Sequence, residues 1–254
     1  VTKATSLQAF QWIKSGWRLF TQQPAPFMAM SGIILAISLV ANFVPILSFF
    51  IVFLMPFLTA GYYQCASNAE QGEKVQAADL FILLGKISEY SVFLRIAVIS
   101  ILLSLPASSA AAAIMEGMQN GQPPEFQLMA TMVGFLALNF MLTSFAIPAA
   151  WVSPKTPVGE LVKQSFKACW INVIPLTIYG LLMMLVFFIS MPVILIGWLV
   201  AMAIGSLSFY QMFLDFYRPE KSTSVDAELI EQTWIQNHHL RIRKLKSRAL
   251  SLLT

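Results

Sequence analysis

The chain has 254 residues, of which 57% are hydrophobic and only 11% charged, with a formal net charge of +4. Soluble domains carry roughly 25% charged residues, so this composition excludes an ordinary water-soluble globule. A basic excess would point to nucleic acid in a soluble protein, but on a chain of long apolar runs it is explained by topology and by anionic headgroups.

Residues 6–22 open the chain as an amphipathic helix. Leu7, Phe10, Ile13, Trp17 and Phe20 recur at three- and four-residue spacing and so share one face. Lys14 and Arg18 sit beside that face, ready to meet headgroups, and Pro24 and Pro26 then end the helix and turn the chain. Such a segment either lies in a membrane interface or caps its own bundle, and Trp17 suits both. Apolar runs of bilayer length, about 20 residues, follow at 26–44 and 45–65. A second amphipathic segment at 76–88 leads to a run at 91–109, a longer outer loop over about 107–126, and a run at 127–149. The third, at 157–170, leads to runs at 171–190 and 191–210. Pro56 and Pro148 are expected to kink their helices. With the first apolar run beginning only near Pro26 and no small-residue cleavage site after it, no cleavable signal peptide is expected.

Residues 218–254 form a basic tail. Thr223 with Asp226 reads as a capping box that opens a helix running to about Leu250. Acidic Asp226, Glu228 and Glu231 lie near its start, and Arg241, Arg243, Lys244, Lys246 and Arg248 near its end, an order that complements the helix dipole. These five charges read as an anionic-lipid clamp, a dock for an acidic protein, or a topology signal.

With six spans, all 16 Lys and Arg residues fall on one side. The bias predicts that both termini face the cytoplasm. The expected architecture is therefore all-α and polytopic: six transmembrane helices over 1–217, with amphipathic cytoplasmic elbow helices in three helix-hairpin repeats of about 1–75, 76–156 and 157–217. Repeats one and three align best. Gly16-Trp17-Arg18 lies over Ser165-Phe166-Lys167, and Thr59-Ala60-Gly61-Tyr62-Tyr63-Gln64 over Ser206-Leu207-Ser208-Phe209-Tyr210-Gln211.

The run Gly16-Trp17-x-x-Phe20-x-x-x-Pro24, then Ile46, Pro56-x-x-x-Ala60-Gly61, Gly72 and Asp79-Leu80-Phe81, resembles an uncharacterised family of six-helix bacterial inner-membrane proteins. More loosely, the architecture is similar to the membrane region of some glycerophosphodiester phosphodiesterases. The likeness is clearest over residues 7–81. It implies location in the inner membrane of a Gram-negative bacterium, and it implies no catalytic residue and no cofactor.

Ionisable groups inside a bilayer mark ion or substrate paths. Here every Asp and Glu lies outside the spans or at their margins, which argues against a proton- or sodium-coupled carrier. Arg95, one turn inside the third span, either snorkels back to the interface or pairs with lipid phosphate or a partner carboxylate. Asn42, Asn139, Thr143, Ser144, Thr177 and Tyr179 are scattered polar groups suited to joining helices. Cys65 and Cys169 read as small buried hydrophobes. Adjacent His238 and His239 point about 100° apart on a helix and do not chelate one ion together. No phosphate loop, nucleophile elbow or metal-spaced cluster stands out.

The leading expectation is a non-enzymatic accessory or scaffolding subunit of a membrane complex. The alternative is an uncoupled transporter or channel for lipid or other apolar cargo. Candidate lipid- or partner-binding residues are Trp17, Arg18, Arg95, Lys167, Trp170, Arg241, Arg243, Lys244, Lys246 and Arg248. Expected partners are membrane lipids, anionic headgroups included, and other integral membrane proteins, with no nucleic acid.

Overall fold

Prolines punctuate the helices. The computed structural model describes residues 1–217, with backbone alone at positions 42, 45, 46, 192, 194 and 195. Helix α1 (Gln8–Gln22) stops before Pro24, which opens α2 (Pro24–Phe43), and Pro45 opens α3 (Pro45–Glu70). In a first helical turn the N–H that proline lacks has no partner to lose. The Gln23 side chain braces the first corner: Nε2 donates to the Glu73 carbonyl at 2.6 Å and Oε1 accepts the Val75 N–H at 2.9 Å. Two 3-10 turns follow, Ala77–Phe81 and Leu84–Lys86, and then α4 (Val92–Gln119), α5 (Phe126–Thr143) and α6 (Ala146–Val152). Helices α7 (Val158–Ile171), α8 (Val173–Ser190) and α9 (Ile194–Tyr217) complete the described chain. Among the described residues there is no strand, and six helical stretches are long and apolar enough to cross a membrane: α2, α3, α4, α5 with α6, α8 and α9. The tail helix expected from Thr223, with Arg241, Arg243, Lys244, Lys246 and Arg248, lies outside the described residues.

Three stretches differ from the expectation. The outer loop over 107–126 shrinks to residues 120–125, because α4 continues through Ala110, Ala111, Ala112 and Ala113 to Gln119. Alanine is the strongest helix former, and a 28-residue helix rises about 42 Å, well beyond a bilayer core of about 30 Å. The second amphipathic segment is not an α-helix but the pair of 3-10 turns, pinned at its start by the Asp79 carboxylate accepting the Gln76 N–H at 2.8 Å. The fourth span breaks at Ser144–Phe145, just where Pro148 would clash with the carbonyl four residues back. Ser165 of α7 repairs the break: its Oγ donates to the Met141 carbonyl at 2.8 Å and accepts the Phe145 N–H at 3.1 Å.

The peripheral segments pack in a regular order. Helix α7 rests on α5 and α6, the 3-10 segment on α3 and α2, and α1 on α9 and α8. Each therefore covers the second helix of the preceding hairpin, with α1 closing on the last. Two of these approaches need glycine. A Cβ on Gly16 would run into the Ser208 side chain, with Ser208 N at 2.7 Å and Ile204 O at 3.0 Å, and one on Gly61 would overlap the Leu80 carbonyl. The face that α1 buries is Ala9, Trp12, Gly16 and Leu19. Its expected apolar face divides: Phe20 is buried and Ile13 half-buried, whereas Leu7, Phe10 and Trp17 stay exposed.

Burial is concentrated in one half of the bundle. The described Lys and Arg lie on α1 and its lead, the α3–α4 connection, the first turn of α4, the α6–α7 connection and α7, a set we call the basic end. The core sits next to it, built on Trp12, Phe27, Tyr62, Phe93, Phe145, Phe213 and Phe216. Toward the other end Val40, Phe50, Leu105, Val133 and Ile189 are exposed.

Candidate functional site

Where the second helices of the three hairpins converge, just above the aromatic core, a chamber of about 410 Å3 opens between them. Helix α3 contributes Thr59 and Tyr63; the α5–α6 break contributes Thr143, Ser144 and Ile147; α9 contributes Gly205, Ser206 and Phe209. Both expected kinks border it: Thr59 follows Pro56 by nearly one turn, and Ile147 adjoins Pro148. A helix broken at Ser144–Phe145 frees room that a continuous helix would fill.

The chamber is closed on the basic side by stacked aromatic rings. Tyr63 stacks on Phe209 and Tyr210, at centroid distances of 6.5 and 6.2 Å, and Phe145 stacks on Phe209 at 4.9 Å. Beneath them polar groups tie the bundle together. Trp151 Nε1 donates to Gln64 Oε1 at 3.3 Å, and Gln64 Nε2 donates to Asn68 Oδ1 at 3.0 Å. Tyr210 and Gln211 both donate to the Glu70 carboxylate at 3.2 Å, and Trp12 Nε1 donates to Asp215 Oδ2 at 2.7 Å. Glu70 and Asp215 thus serve as helix ties at the span margins, leaving the chamber lining free of charged side chains.

The residues singled out from sequence lie elsewhere. Trp17 and Arg18 are exposed on α1, Lys167 and Trp170 on α7, and Arg95 on the first turn of α4. Among the described residues no hydrogen bond or ring contact joins any two of them; Trp17 instead pairs with Phe20 and Trp170 stacks on Phe166. Asn139, expected to join helices, does so: Nδ2 donates to Ser104 Oγ at 2.9 Å across the α4–α5 pair. Tyr179 likewise donates to the Gly205 carbonyl at 3.0 Å. Both cysteines are buried, and burial pushes the Cys169 thiol up to about 12, leaving it un-ionised at neutral pH. Sequence reasoning set Thr143 and Ser144 among scattered polar groups and passed over the chamber as a site. The available signal was the alignment that laid Thr59 over Ser206.

Over its described residues the chain is thus all-helical, with six membrane-length helical stretches, three of which border a hydroxyl-lined pocket. No protein-family model, no curated protein and no solved structure matches the chain.

Proposed function

We propose that the protein is a non-enzymatic integral membrane protein that handles a lipid or other apolar cargo without ion coupling. One observation carries this reading: the chamber is lined by neutral hydroxyls and hydrophobes and opens to the surface of the bundle. A proton-coupled carrier needs a readily titrated group at its site, whereas a chamber of this kind suits an amphiphile entering from the bilayer. The test is lipid redistribution in proteoliposomes. A fluorescent lipid should cross leaflets faster than in protein-free vesicles, with no response to a proton or sodium gradient. Absence of acceleration would end the transport reading.

The second reading is an accessory or scaffolding subunit. It is favoured by the α4–α5 hairpin, whose half away from the basic end exposes Leu105, Val133 and Leu136, surface that a partner helix would pack against. Native mass spectrometry of gently extracted membranes would then recover the chain with other membrane proteins, and recovery as a lone monomer would remove this reading.

We further read the chain as three repeated units in a bacterial inner membrane, with the basic end cytoplasmic. Supporting the repeat, the three peripheral segments make close contacts at Gly61, Phe145 and Ser208, and two residues before each stands a hydroxyl: Thr59, Thr143 and Ser206. The resemblance over residues 7–81 supports the membrane type. Exposed Leu7, Phe10, Trp17 and Trp170 beside Arg18 and Lys167 suit an interface rich in anionic headgroups. One-sided Lys and Arg support the orientation. Reporter fusions at Gly121 and after Thr254 should report opposite compartments, and a common compartment would refute the six-span arrangement.

A further inference from the structure

Hydroxyls on apolar helices often donate back to a carbonyl of their own turn, and the rule holds for several hydroxyls outside the chamber. Ser38 donates to Ile34 O at 2.8 Å, Ser104 to Ser100 O at 2.7 Å, Thr177 to Val173 O at 2.8 Å and Ser190 to Val186 O at 2.7 Å. Inside the chamber the rule fails. Only Thr143 donates to its own helix, to Asn139 O at 2.8 Å. The side-chain hydroxyls of Thr59, Ser144, Ser206 and Tyr63 line the cavity and make no hydrogen bond among the described residues. Polar groups held without partners in an apolar surround are unfavourable, so their convergence on one space points to a ligand that satisfies them.

The lining specifies that ligand's chemistry. A hydroxyl both donates and accepts, so these groups match a head that offers carbonyl acceptors and a hydroxyl donor. No Lys or Arg lines the chamber, and the carboxylate of Glu70 is tied in behind it by Tyr210. A phosphate brought here would lose its hydration without gaining a counter-charge. Ile147 and Phe209 supply apolar wall, and the open mouth of the chamber leaves acyl chains free to stay outside it. We infer that the chamber binds the uncharged, hydroxyl- and ester-bearing head of a neutral bilayer lipid, of the diacylglycerol class, and excludes phosphate-bearing heads. This deepens the cargo-handling reading and rests on it for the route of entry.

The probe is a diacylglycerol carrying a diazirine close to its ester, compared with the matching phosphatidic acid, each doped into phosphatidylcholine nanodiscs holding the full chain. After illumination, peptide mapping should find diacylglycerol label near Thr59, Ser144 and Ser206, displaced by unlabelled diacylglycerol, with little label from phosphatidic acid. Thr59→Val and Ser206→Ala should each weaken displaceable labelling by about fivefold, whereas Thr177→Val should leave it unchanged. Equal labelling by phosphatidic acid, or undiminished labelling of a folded Thr59→Val/Ser206→Ala chain, overturns the inference. Should that double variant lose its thermal transition, Ser144→Ala takes its place with the same two outcomes. Binding without lipid redistribution would retain this site and remove the transport reading. Redistribution of phospholipid with no capture of diacylglycerol would do the reverse.

Discussion

Gly61→Ala is expected to destabilise the protein by about 3 kcal/mol, the upper range for overpacking a closed contact. The added Cβ overlaps the Leu80 carbonyl, with Leu80 C at 3.0 Å, so the obstacle is backbone and not a side chain that can swing away. Leu80 is fully buried, and its 3-10 turn is anchored by the Asp79–Gln76 hydrogen bond. The turn and α3 would have to separate, with loss of the buried surface around Leu80 and Leu83. Gly134→Ala on α5 is the matched control, since a Cβ there meets nothing within 4 Å; it should be neutral or add about 0.5 kcal/mol through helix propensity. Denaturation in mixed detergent micelles compares the two. Equal midpoints for Gly61→Ala and the wild type would show that the α3–turn contact is slack.

Asn172→Ala should cut the N-terminal lead away from the bundle. The Asn172 side chain is wholly buried between α7 and α8 and makes three bonds. Oδ1 accepts the Ala4 N–H at 2.7 Å, and Nδ2 donates to the Thr2 carbonyl at 3.1 Å and the Ala168 carbonyl at 2.9 Å. Removing the amide strands a buried Ala4 N–H and two carbonyls, a loss of about 3 kcal/mol and roughly a hundredfold in the local opening equilibrium. Thr2, whose N–H donates to the Phe216 carbonyl at 2.9 Å and whose Oγ1 donates to the Asp215 carbonyl at 2.6 Å, would then hold the segment. Limited trypsin digestion read by intact mass should therefore show cleavage after Lys3 accelerating by a similar factor. Unchanged cleavage would mean that the Thr2 contacts with α9 suffice.

These two contacts also explain part of the pattern noted in the sequence. Ala60-Gly61 and Asp79-Leu80-Phe81 stand far apart in the chain yet meet face to face, and Gly16 is small because α9 approaches there. The motif residues thus have a packing explanation that their spacing did not disclose.

What the sequence determined by itself was what depends on local composition. Six apolar runs of bilayer length, the prolines at their starts, and Lys and Arg confined to one set of connections are each legible within a window of 20 residues or so. Tertiary structure decided the rest, because the deciding partners are distant in sequence. Helix α1 could present either of two apolar stripes, and contact with α9 chose Ala9, Trp12 and Gly16 over Leu7 and Phe10. The segment after α3 read as an amphipathic helix, but packing on Gly61 held it as 3-10 turns. Pro148 promised a kink, yet only Ser165 of another helix made an open break at Ser144–Phe145 affordable within the bundle. The chamber depends on all of these. Its hydroxyls come from three hairpins, and only folding brings them to one space and leaves those of Thr59, Tyr63, Ser144 and Ser206 without a partner there.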